Sequence, residues 1–471
     1  MRKTKIICTL GPATDSYEMI KKLVLSGMDC GRLNFSHGTY TEQKQKIDLL
    51  KKVRKELNIP VAILLDTKGP EIRIKTFARP YEHLIEGQTF TLCNDDIEGN
   101  STKVSITYKE LYKNVKSGDI ILLDDGLIKL EVLEVKEQDI ICKVLVGGKI
   151  SNRKGINLPG ISVNMPYLSE VDKQDILFGI ENGIDYVAAS FVRAKEDVED
   201  VRALLLENGG KHIKIIAKIE NSQGLKNIEE IIEAADGIMV ARGDLGVELD
   251  FAKIPVIQKS LVEKCQQAGK MVIVATQMLE SMTENPIPTR AEVTDIANAI
   301  MQGATAIMLS GESAAGKYPI KAVETMSQIA AENECAIDYR KNFYNMQLTK
   351  IRNKQNAMSV AACDAANYLQ ADAIVCITKS GKTARILSSN YPNCPIIVEV
   401  LDEKFLNQLN LCFGVKPVKA NSYSSFEQMI NDGIKLAKET SIVKKGSLII
   451  ILGGSVLTGK ISDTMKIIEV E

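Results

Sequence analysis

Short apolar segments rich in β-branched residues alternate with longer amphipathic segments along most of the chain. Segments that are apolar throughout are typical of parallel strands covered on both faces, and amphipathic segments with a 3.6-residue period are typical of helices. The strand pattern occurs at residues 5–10, 28–35, 61–65, 186–189, 213–219, 238–240, 271–275 and 306–309. Eight strand-and-helix units on one chain predict a closed parallel (β/α)8 barrel. Two of the helices are predicted to start with a capping box, at Ser169 and at Thr289.

The alternation is interrupted once, after the third segment. Residues 71–164 contain short strands and turns, as at 130–135 and 140–146, instead of a helix. We interpret them as a small all-β domain, a β-barrel inserted at the mouth of the larger barrel, where a lid could close over a site. The catalytic barrel then comprises residues 1–70 and 165–345.

A second pattern begins after about residue 345. The charged segment 341–356 is predicted to be a connector, and a helix is predicted at about 355–369. Further strands are predicted at residues 373–377, 395–398, 447–452 and 465–470. This order predicts that residues 346–471 form a C-terminal α/β domain with a mostly parallel sheet. The predicted fold class of the whole chain is α/β.

The composition is that of an ordinary globular protein. Apolar residues make up 45% and charged residues 25%, and 59 basic against 60 acidic residues leave a net charge of −1, which gives no bias toward nucleic acids or membranes. The first residues lack the apolar region of a signal peptide, and no run is long enough to span a membrane. Ten scattered cysteines favour reduced, buried thiols. We expect a cytoplasmic protein.

Polar residues follow the apolar segments where the predicted strands end. In a barrel these ends meet at one face, where active sites are built. Solvent exposure would explain one or two such residues, but not so many after deeply apolar strands. The set is Arg32, Asn34, Ser36, Asp66, Thr67, Lys218, Glu220, Arg242, Asp244, Thr276, Ser310 and Glu312. Because residues two apart in a strand share a face, Arg242 is expected beside Asp244.

The charges in this set indicate a chemistry. Glu220 and Asp244, from neighbouring strands, suit a hard divalent cation that keeps several waters, such as Mg²⁺. Lys218, Arg32 and Arg73 supply the positive charge that phosphate or carboxylate ligands require. The pattern predicts metal-assisted phosphoryl transfer or enolate chemistry.

Nine segments, in order, resemble signatures of the pyruvate kinase family along essentially the whole chain. They lie at residues 8–12, 32–38, 65–73, 155–160, 217–220, 239–246, 275–282, 288–292 and 308–312. The resemblance implies transfer of the phosphoryl group of phosphoenolpyruvate to ADP, giving pyruvate and ATP, in glycolysis. It also implies a homotetramer.

Matching residues to this family implies the following roles. Glu220 and Asp244 would hold Mg²⁺, and a second Mg²⁺ would arrive with the nucleotide. Lys218 would face the moving phosphoryl group as an electrophile. Arg32 and Arg73 would clamp phosphates.

The same matching implies sites for the substrate carboxylate and the proton. Thr276 and the backbone N–H groups near Gly243 and Asp244 would hold the carboxylate. A water relay from Thr276 to Ser310 and Glu312 is the candidate route for the proton that the enolate takes up.

The resemblance further implies a monovalent cation site and a nucleotide site. The residues matching the K⁺ site are Asn34, Ser36, Asp66 and Thr67. An acid at position 71, here Glu71, accompanies K⁺ dependence in the family. The residues matching nucleotide contacts are Asn34, His37, Arg73 and Lys154.

A loop in the last domain is a candidate effector site. It follows a strand and opens a helix, so its N–H groups and lysines could meet a phosphate, although an ordinary helix start fits the pattern equally well. The resemblance favours a phosphorylated sugar or nucleotide as effector, with residues 453–459 as a second arm. The loop consists of Thr378, Lys379, Ser380, Gly381, Lys382 and Thr383.

Three alternatives remain open from the residues alone. A barrel lyase or aldolase could use Mg²⁺ and an enolate of pyruvate, and Lys218 could form a Schiff base with its substrate. A catalytically silent protein could sense a metabolite through its last domain. Release of pyruvate that depends on ADP would separate the phosphotransferase from the lyase or aldolase, and borohydride trapping with pyruvate would reveal a Schiff base. Unchanged turnover of a Lys218→Met variant would favour the silent sensor.

Overall fold

The first body of the fold is the predicted closed parallel barrel. The computed structural model describes residues 1–163, 165–347, 354–420, 425–453 and 464–471. The first strand pairs with both the second and the eighth, which closes the cylinder. The barrel strands are Lys5–Thr9, Cys30–Asn34, Ala62–Asp66, Tyr186–Ala189, Lys214–Ile219, Gly237–Ala241, Met271–Ala275 and Ala306–Leu309.

Helices cover the outside of the barrel and explain why its strands are apolar throughout. Side chains such as Ile7 and Ile273 fill the interior, while Ile6 and Val272 pack outward in the main hydrophobic core. The helices of this body are Tyr17–Ser26, Tyr40–Leu57, Glu170–Glu181, Lys195–Glu207, Ser222–Lys226, Ile228–Ala234, Arg242–Glu248, Ile254–Ala268, Arg290–Gln302, Gly311–Ala314 and Pro319–Glu334.

Two of these helices begin at the residues that the sequence predicts. The hydroxyls of Ser169 and Thr289 accept the N–H groups of Asp172 and Glu292, and those two carboxylates accept the N–H of the capping residue in return. Each reciprocal pair satisfies two backbone donors that a helix start otherwise leaves without partners. The predicted capping boxes are confirmed.

The insert is an all-β body with its own hydrophobic core. Seven of its strands form one sheet, and Tyr81–Leu84 and Gly148–Ser151 form a separate pair. An antiparallel bridge between Ile74 and Ile106 joins the continuations of the two edge strands, so the sheet curls into a small barrel. The seven strands are Ile72–Arg73, Thr89–Cys93, Lys103–Ser105, Ile120–Leu123, Ile128–Lys136, Asp139–Val146 and Gly155–Asn157.

The last part of the chain forms a mostly parallel five-stranded sheet with helices. Its final strand, Thr464–Glu469, is antiparallel to its neighbour. The other strands are Ala373–Thr378, Ile396–Val400, Val415–Lys419 and Leu448–Gly453. The helices are Lys354–Leu369, Lys382–Ser388, Leu406–Leu409 and Phe426–Glu439. The predicted architecture of this domain is confirmed.

One of these strands escapes the sequence analysis. Val415–Lys419 contains Pro417, which argues against a strand because proline cannot donate a ladder hydrogen bond. The strand lies at the edge of the sheet and pairs on one side only. An edge position leaves room for a residue without an N–H group.

The predicted connector is wrong for the residues that can be described. Residues Tyr339–Gln347 form a helix, and the chain from 348 to 353 lies outside the described residues. Tyr339, Phe343 and Met346 are buried, and their spacing of four and three places them on one face of that helix. The many polar residues between them conceal this short apolar stripe.

The cysteines agree with the expected reduced state. All ten are free. Nine are buried, and Cys335 is exposed, which corrects the expectation that all are buried. Within the described residues, no helix combines the length and the apolar character needed to cross a lipid bilayer.

The C-terminal domain closes the amino-terminal end of the barrel. Leu411 is fully buried among side chains of the barrel interior. The side-chain amide of Gln408 donates to the carbonyl oxygens of Asp185, at 3.1 Å, and His212, at 2.9 Å. The Tyr186 hydroxyl donates to the backbone oxygen of Gln408 at 2.7 Å. We call this closed end the floor of the barrel. The opposite end, where the carboxyl ends of the strands meet, is the open face.

We predict that replacing Leu411 by alanine destabilises the protein. The change leaves a cavity beneath the barrel, which costs about 2–5 kcal/mol of unfolding free energy, so the midpoint of thermal unfolding should fall. Leu401→Ala, at an exposed position of the same domain, is the matched control. Equal midpoints for both variants would show that Leu411 does not seal the floor.

Candidate active site

A buried lysine is the centre of the open face. The Nζ atom of Lys218 lies 3.0 Å from Asp66 Oδ1 and 3.0 Å from Glu220 Oε1, and it donates to Ser190 Oγ at 2.7 Å. Burial alone would lower the pKa of Lys218, but the two carboxylates raise it above its usual value. The side chain is therefore an ammonium group at neutral pH.

Asp66 connects this lysine to an arginine. Arg32 Nε donates to Asp66 Oδ2 at 2.6 Å, and Arg32 Nη1 donates to Thr9 Oγ1 at 2.9 Å. Burial acts to raise the pKa of Asp66, but Arg32 and Lys218 outweigh it and hold the pKa below the usual range. The ionised Asp66 thus fixes the positions of two cationic side chains.

Glu220 and Asp244 form a crowded pair of carboxyl groups. Burial raises the pKa of Glu220 to about 7, and Asp244 adds to the rise while Lys218 opposes it. Burial also raises the pKa of Asp244, to which Asp125 and Glu71 of the insert contribute. A divalent cation would stabilise both ionised groups, so the donor set fits Mg²⁺.

The rest of a metal's coordination would have to come from outside this pair. Across the described residues, no cluster of three or more His, Cys, Asp or Glu side chains is arranged to hold a metal. Two carboxylates together with water and substrate oxygens is the ligand set that Mg²⁺ prefers.

Arg242 has a different position from the one expected. It is the first residue of the helix Arg242–Glu248, so the alternation of the strand ends before it. Its guanidinium donates to the carbonyls of Thr276, at 2.6 Å, and Gln277, at 3.1 Å, and to Asp295 Oδ2 at 2.6 Å. Arg242 therefore holds the turn that follows the seventh strand and does not lie beside Asp244.

That turn is backbone-strained. Thr276 and Gln277 have φ values of 67° and 53°, in the left-handed region that non-glycine residues rarely adopt. The hydroxyl of Thr276 donates to the Ala275 carbonyl at 2.6 Å and accepts the Gly243 N–H at 2.8 Å. The Thr276 hydroxyl and the Gly243 N–H, both expected to bind the substrate carboxylate, are therefore hydrogen-bonded to each other.

Glu312 supports the same region from the eighth strand. Its carboxylate accepts the N–H groups of Leu279, at 3.0 Å, and Ser310, at 2.7 Å. Burial raises its pKa. Glu312 consequently joins the turn after the seventh strand to the end of the eighth.

The four residues matched to the K⁺ site lie at, or one or two residues beyond, the ends of the second and third strands. Asn34 and Asp66 are register partners, and Asn34 Oδ1 accepts the Ser36 N–H at 3.0 Å. The Thr67 hydroxyl accepts the Ser190 N–H at 3.1 Å. Asn34 and Asp66 are therefore adjacent, while Ser36 is exposed on the following loop.

The residues matched to the nucleotide lie on the insert and on the same loop. Arg73 pairs with Glu71, with Nη2 and Oε2 2.7 Å apart, and Lys154 Nζ lies 2.8 Å from Asp124 Oδ1. His37 is exposed, and its carbonyl accepts from Gln43 at 2.8 Å. Arg73 and Lys154 therefore each have an acidic partner on the insert.

Ser190 and Thr9 are the contacts that the sequence analysis misses. The Ser190 hydroxyl accepts from Lys218 and contacts Asp66 Oδ1 at 3.1 Å. Ser190 directly follows the strand Tyr186–Ala189, and Thr9 ends the first strand. The strand-end signal that identifies the other residues would have found both.

The candidate effector loop has the geometry of a helix start. Gly381 has φ 75°, and its N–H donates to the Thr378 hydroxyl at 3.1 Å. Lys379, Ser380 and Lys382 are exposed. The second arm predicted at 453–459 lies, beyond residue 453, outside the described residues.

We predict that Arg242→Met lowers both stability and turnover. The change leaves two carbonyls and Asp295 without their donor, which costs about 3 kcal/mol or more, and it releases the strained turn at Thr276. Thermal unfolding and steady-state kinetics measure the two effects. Arg340→Met, at an exposed position, is the control. A stable and fully active Arg242→Met variant would contradict the assignment.

Comparisons with known proteins agree over the whole chain. The family model of the pyruvate kinase barrel domain matches residues 1–323, and that of the pyruvate kinase alpha/beta domain matches residues 356–468. A pyruvate kinase of Clostridium perfringens is 47% identical over 460 residues, covering 96% of each chain. One of Clostridium acetobutylicum is 46% identical, covering 100% of this chain and 99% of its own. One of Sporosarcina psychrophila is 46% identical over 96% of this chain and 78% of its own. The chain belongs to the pyruvate kinase family.

Proposed function

We propose that the open face of the barrel transfers the phosphoryl group of phosphoenolpyruvate to ADP, giving pyruvate and ATP. The observation that carries the proposal is the Lys218 ammonium between Asp66 and Glu220, with Asp244 adjacent. Phosphoryl transfer needs fixed positive charge where negative charge spreads in the transition state. A buried lysine whose pKa its neighbours raise supplies it.

The charge state of Lys218 also weighs against a Schiff base. A lysine that attacks a carbonyl must be a neutral amine, which enzymes obtain by lowering its pKa. Here Asp66 and Glu220 raise the pKa instead. The Schiff-base alternative is therefore disfavoured.

Glu220 and Asp244 would hold Mg²⁺, which when bound neutralises charge on the substrate oxygens. A second Mg²⁺ would accompany the nucleotide. Arg32, oriented by Asp66 and Thr9, would bind the phosphate of the substrate, and Arg73 would bind phosphates from the side of the insert.

The substrate carboxylate would lie at Thr276 and the N–H groups of Gly243 and Asp244. Binding there would replace the contact between Gly243 and the Thr276 hydroxyl. After the transfer, the enolate takes its proton on carbon, and Thr276, Ser310 and Glu312 form the proposed relay.

A monovalent cation, K⁺, would bind at Asn34, Ser36, Asp66 and Thr67. The negative charge of Asp66 and the oxygens of the other three suit a weakly hydrated cation. The nucleotide would contact Asn34, His37, Arg73 and Lys154, the last two from the insert.

Other assignments complete this proposal. Residues 71–164 would act as a lid on a catalytic barrel of residues 1–70 and 165–345, and residues 346–471 would regulate it. The loop 378–383 would bind a phosphorylated effector, because exposed Lys379 and Lys382 flank its helix start. The protein would be a cytoplasmic homotetramer.

We predict that the protein releases pyruvate and ATP only when phosphoenolpyruvate, ADP and Mg²⁺ are all present. Lys218→Met should lower kcat by about 100-fold or more, because it removes charge stabilisation from the transition state. A lactate dehydrogenase-coupled assay measures pyruvate, and circular dichroism checks folding. Pyruvate released without ADP would support a lyase instead.

We also predict that activity depends on K⁺. In buffer with only sodium or choline, kcat/KM should fall about tenfold or more, a loss of about 1.4 kcal/mol of transition-state stabilisation. Glu71→Lys should reduce this dependence by supplying a fixed charge, whereas the exposed control Glu86→Lys should not. Full activity in choline buffer would refute the K⁺ site.

A further inference from the structure

One carboxylate connects the insert to the barrel close to the paired acids. Glu248 is the last residue of the helix Arg242–Glu248. Its carboxylate accepts the N–H of Leu158, with Oε1 3.3 Å from the nitrogen, and the Ser222 N–H and the Asn157 side chain lie close enough to it to oppose the rise in its pKa that burial causes. Three separate segments of the chain therefore meet at one side chain.

Each of these segments leads directly to the candidate site. The helix that ends at Glu248 carries Asp244 in its first turn, one turn away at a rise of about 1.5 Å per residue. Ser222 is two residues after Glu220. Asn157 and Leu158 belong to the insert, where Asn157 ends the strand Gly155–Asn157.

The same helix has a second contact with the insert. Val247 Cγ1 lies 3.4 Å from the position that a Cβ atom at Gly126 would take. Gly126 belongs to the turn of Asp124, the ion-pair partner of Lys154. The helix thus meets the insert both at the strand after Lys154 and at the turn that holds Lys154.

The chain connection nearby is held separately. Arg193 Nη1 donates to the carbonyls of Val163, at 3.2 Å, and Met165, at 3.0 Å, while its other nitrogens pair with Asp197 at 3.0 and 3.1 Å. Arg193 therefore fixes the linker to the barrel. Glu248 acts beyond the linker, on the body of the insert.

We propose that Glu248 is a positioning residue that sets the insert against the barrel so that Arg73 and Lys154 face Glu220 and Asp244. This role rests on the phosphoryl transfer proposed above. The strand Gly155–Asn157 pairs with Ile72–Arg73 through Gly155 and Arg73, so a tether at Asn157 and Leu158 also fixes the backbone of Arg73. Substrate groups held by the barrel alone should depend on Glu248 less than the nucleotide does.

The test compares Glu248→Ala, Glu248→Gln and the exposed control Glu207→Ala. Alanine removes every acceptor, so we expect the KM for ADP to rise about tenfold, the cost of one hydrogen bond to a charged group. The KM for phosphoenolpyruvate should change less than about twofold, because its proposed contacts lie on the barrel, apart from Arg73. Glutamine keeps the shape of the side chain and one acceptor oxygen. The KM for ADP of Glu248→Gln should therefore stay close to that of the unaltered protein.

Amide hydrogen exchange of the full-length protein gives an independent measurement. Glu248→Ala should speed exchange in peptides covering residues 155–163, and Glu248→Gln and Glu207→Ala should not. Equal rises in both KM values, unchanged exchange, or faster exchange with an unchanged KM for ADP would each overturn the positioning role. If the unaltered protein makes no pyruvate, the proposed function fails, and the exchange result still decides whether Glu248 tethers the insert.

Discussion

The structure depends on keeping an ammonium group charged in a place that excludes water. Burying an ion costs several kcal/mol unless an opposite charge and hydrogen bonds compensate for it. Lys218 has this compensation from Glu220, two residues further along the chain, and from Asp66 and Ser190, at the ends of two other barrel strands. Since Asp66 and Ser190 are far from Lys218 in the sequence, only the closed cylinder brings all four groups together, and folding and site assembly are the same event.

The two ends of the cylinder differ as a result: one excludes water, and the other keeps charged groups accessible. At the amino-terminal end, Leu411 and Gln408 exclude water with an apolar side chain and paired backbone carbonyls. At the carboxyl end, charged groups remain partly accessible, as for Asp244, so that ligands can reach them. The insert lies at this second end, where its acids Asp125 and Glu71 act on the pKa of Asp244. A cation is thus attracted by both bodies at once.

The sequence predicts the features that follow from local rules. Apolar runs on both faces identify the eight strands, and hydroxyl-to-carboxylate spacing identifies the helix starts at Ser169 and Thr289. Features that depend on tertiary position are missed: Pro417 is tolerated only because its strand is at an edge, and the stripe of the helix Tyr339–Gln347 is too short to stand out. The position of Arg242 is also missed, because strand alternation stops one residue before it.

Backbone strain at the open face is linked to the same requirement, that charged side chains be held in a place that excludes water. Phe191 lies two residues after the fourth strand and Thr276 directly follows the seventh, with φ values of 55° and 67°. Such conformations each cost of order 1 kcal/mol or more. The strained turns have bonds that offset this cost: the Phe191 N–H binds Glu220 at 2.7 Å, and Arg242 binds the Thr276 carbonyl at 2.6 Å. In the first case the turn is held by Glu220, the acid proposed to bind Mg²⁺, and in the second by the guanidinium of Arg242. Strain and charge at this face are therefore balanced by the same small set of side chains, so relaxing one turn would also free Glu220 or Arg242 from the hydrogen bond that holds it.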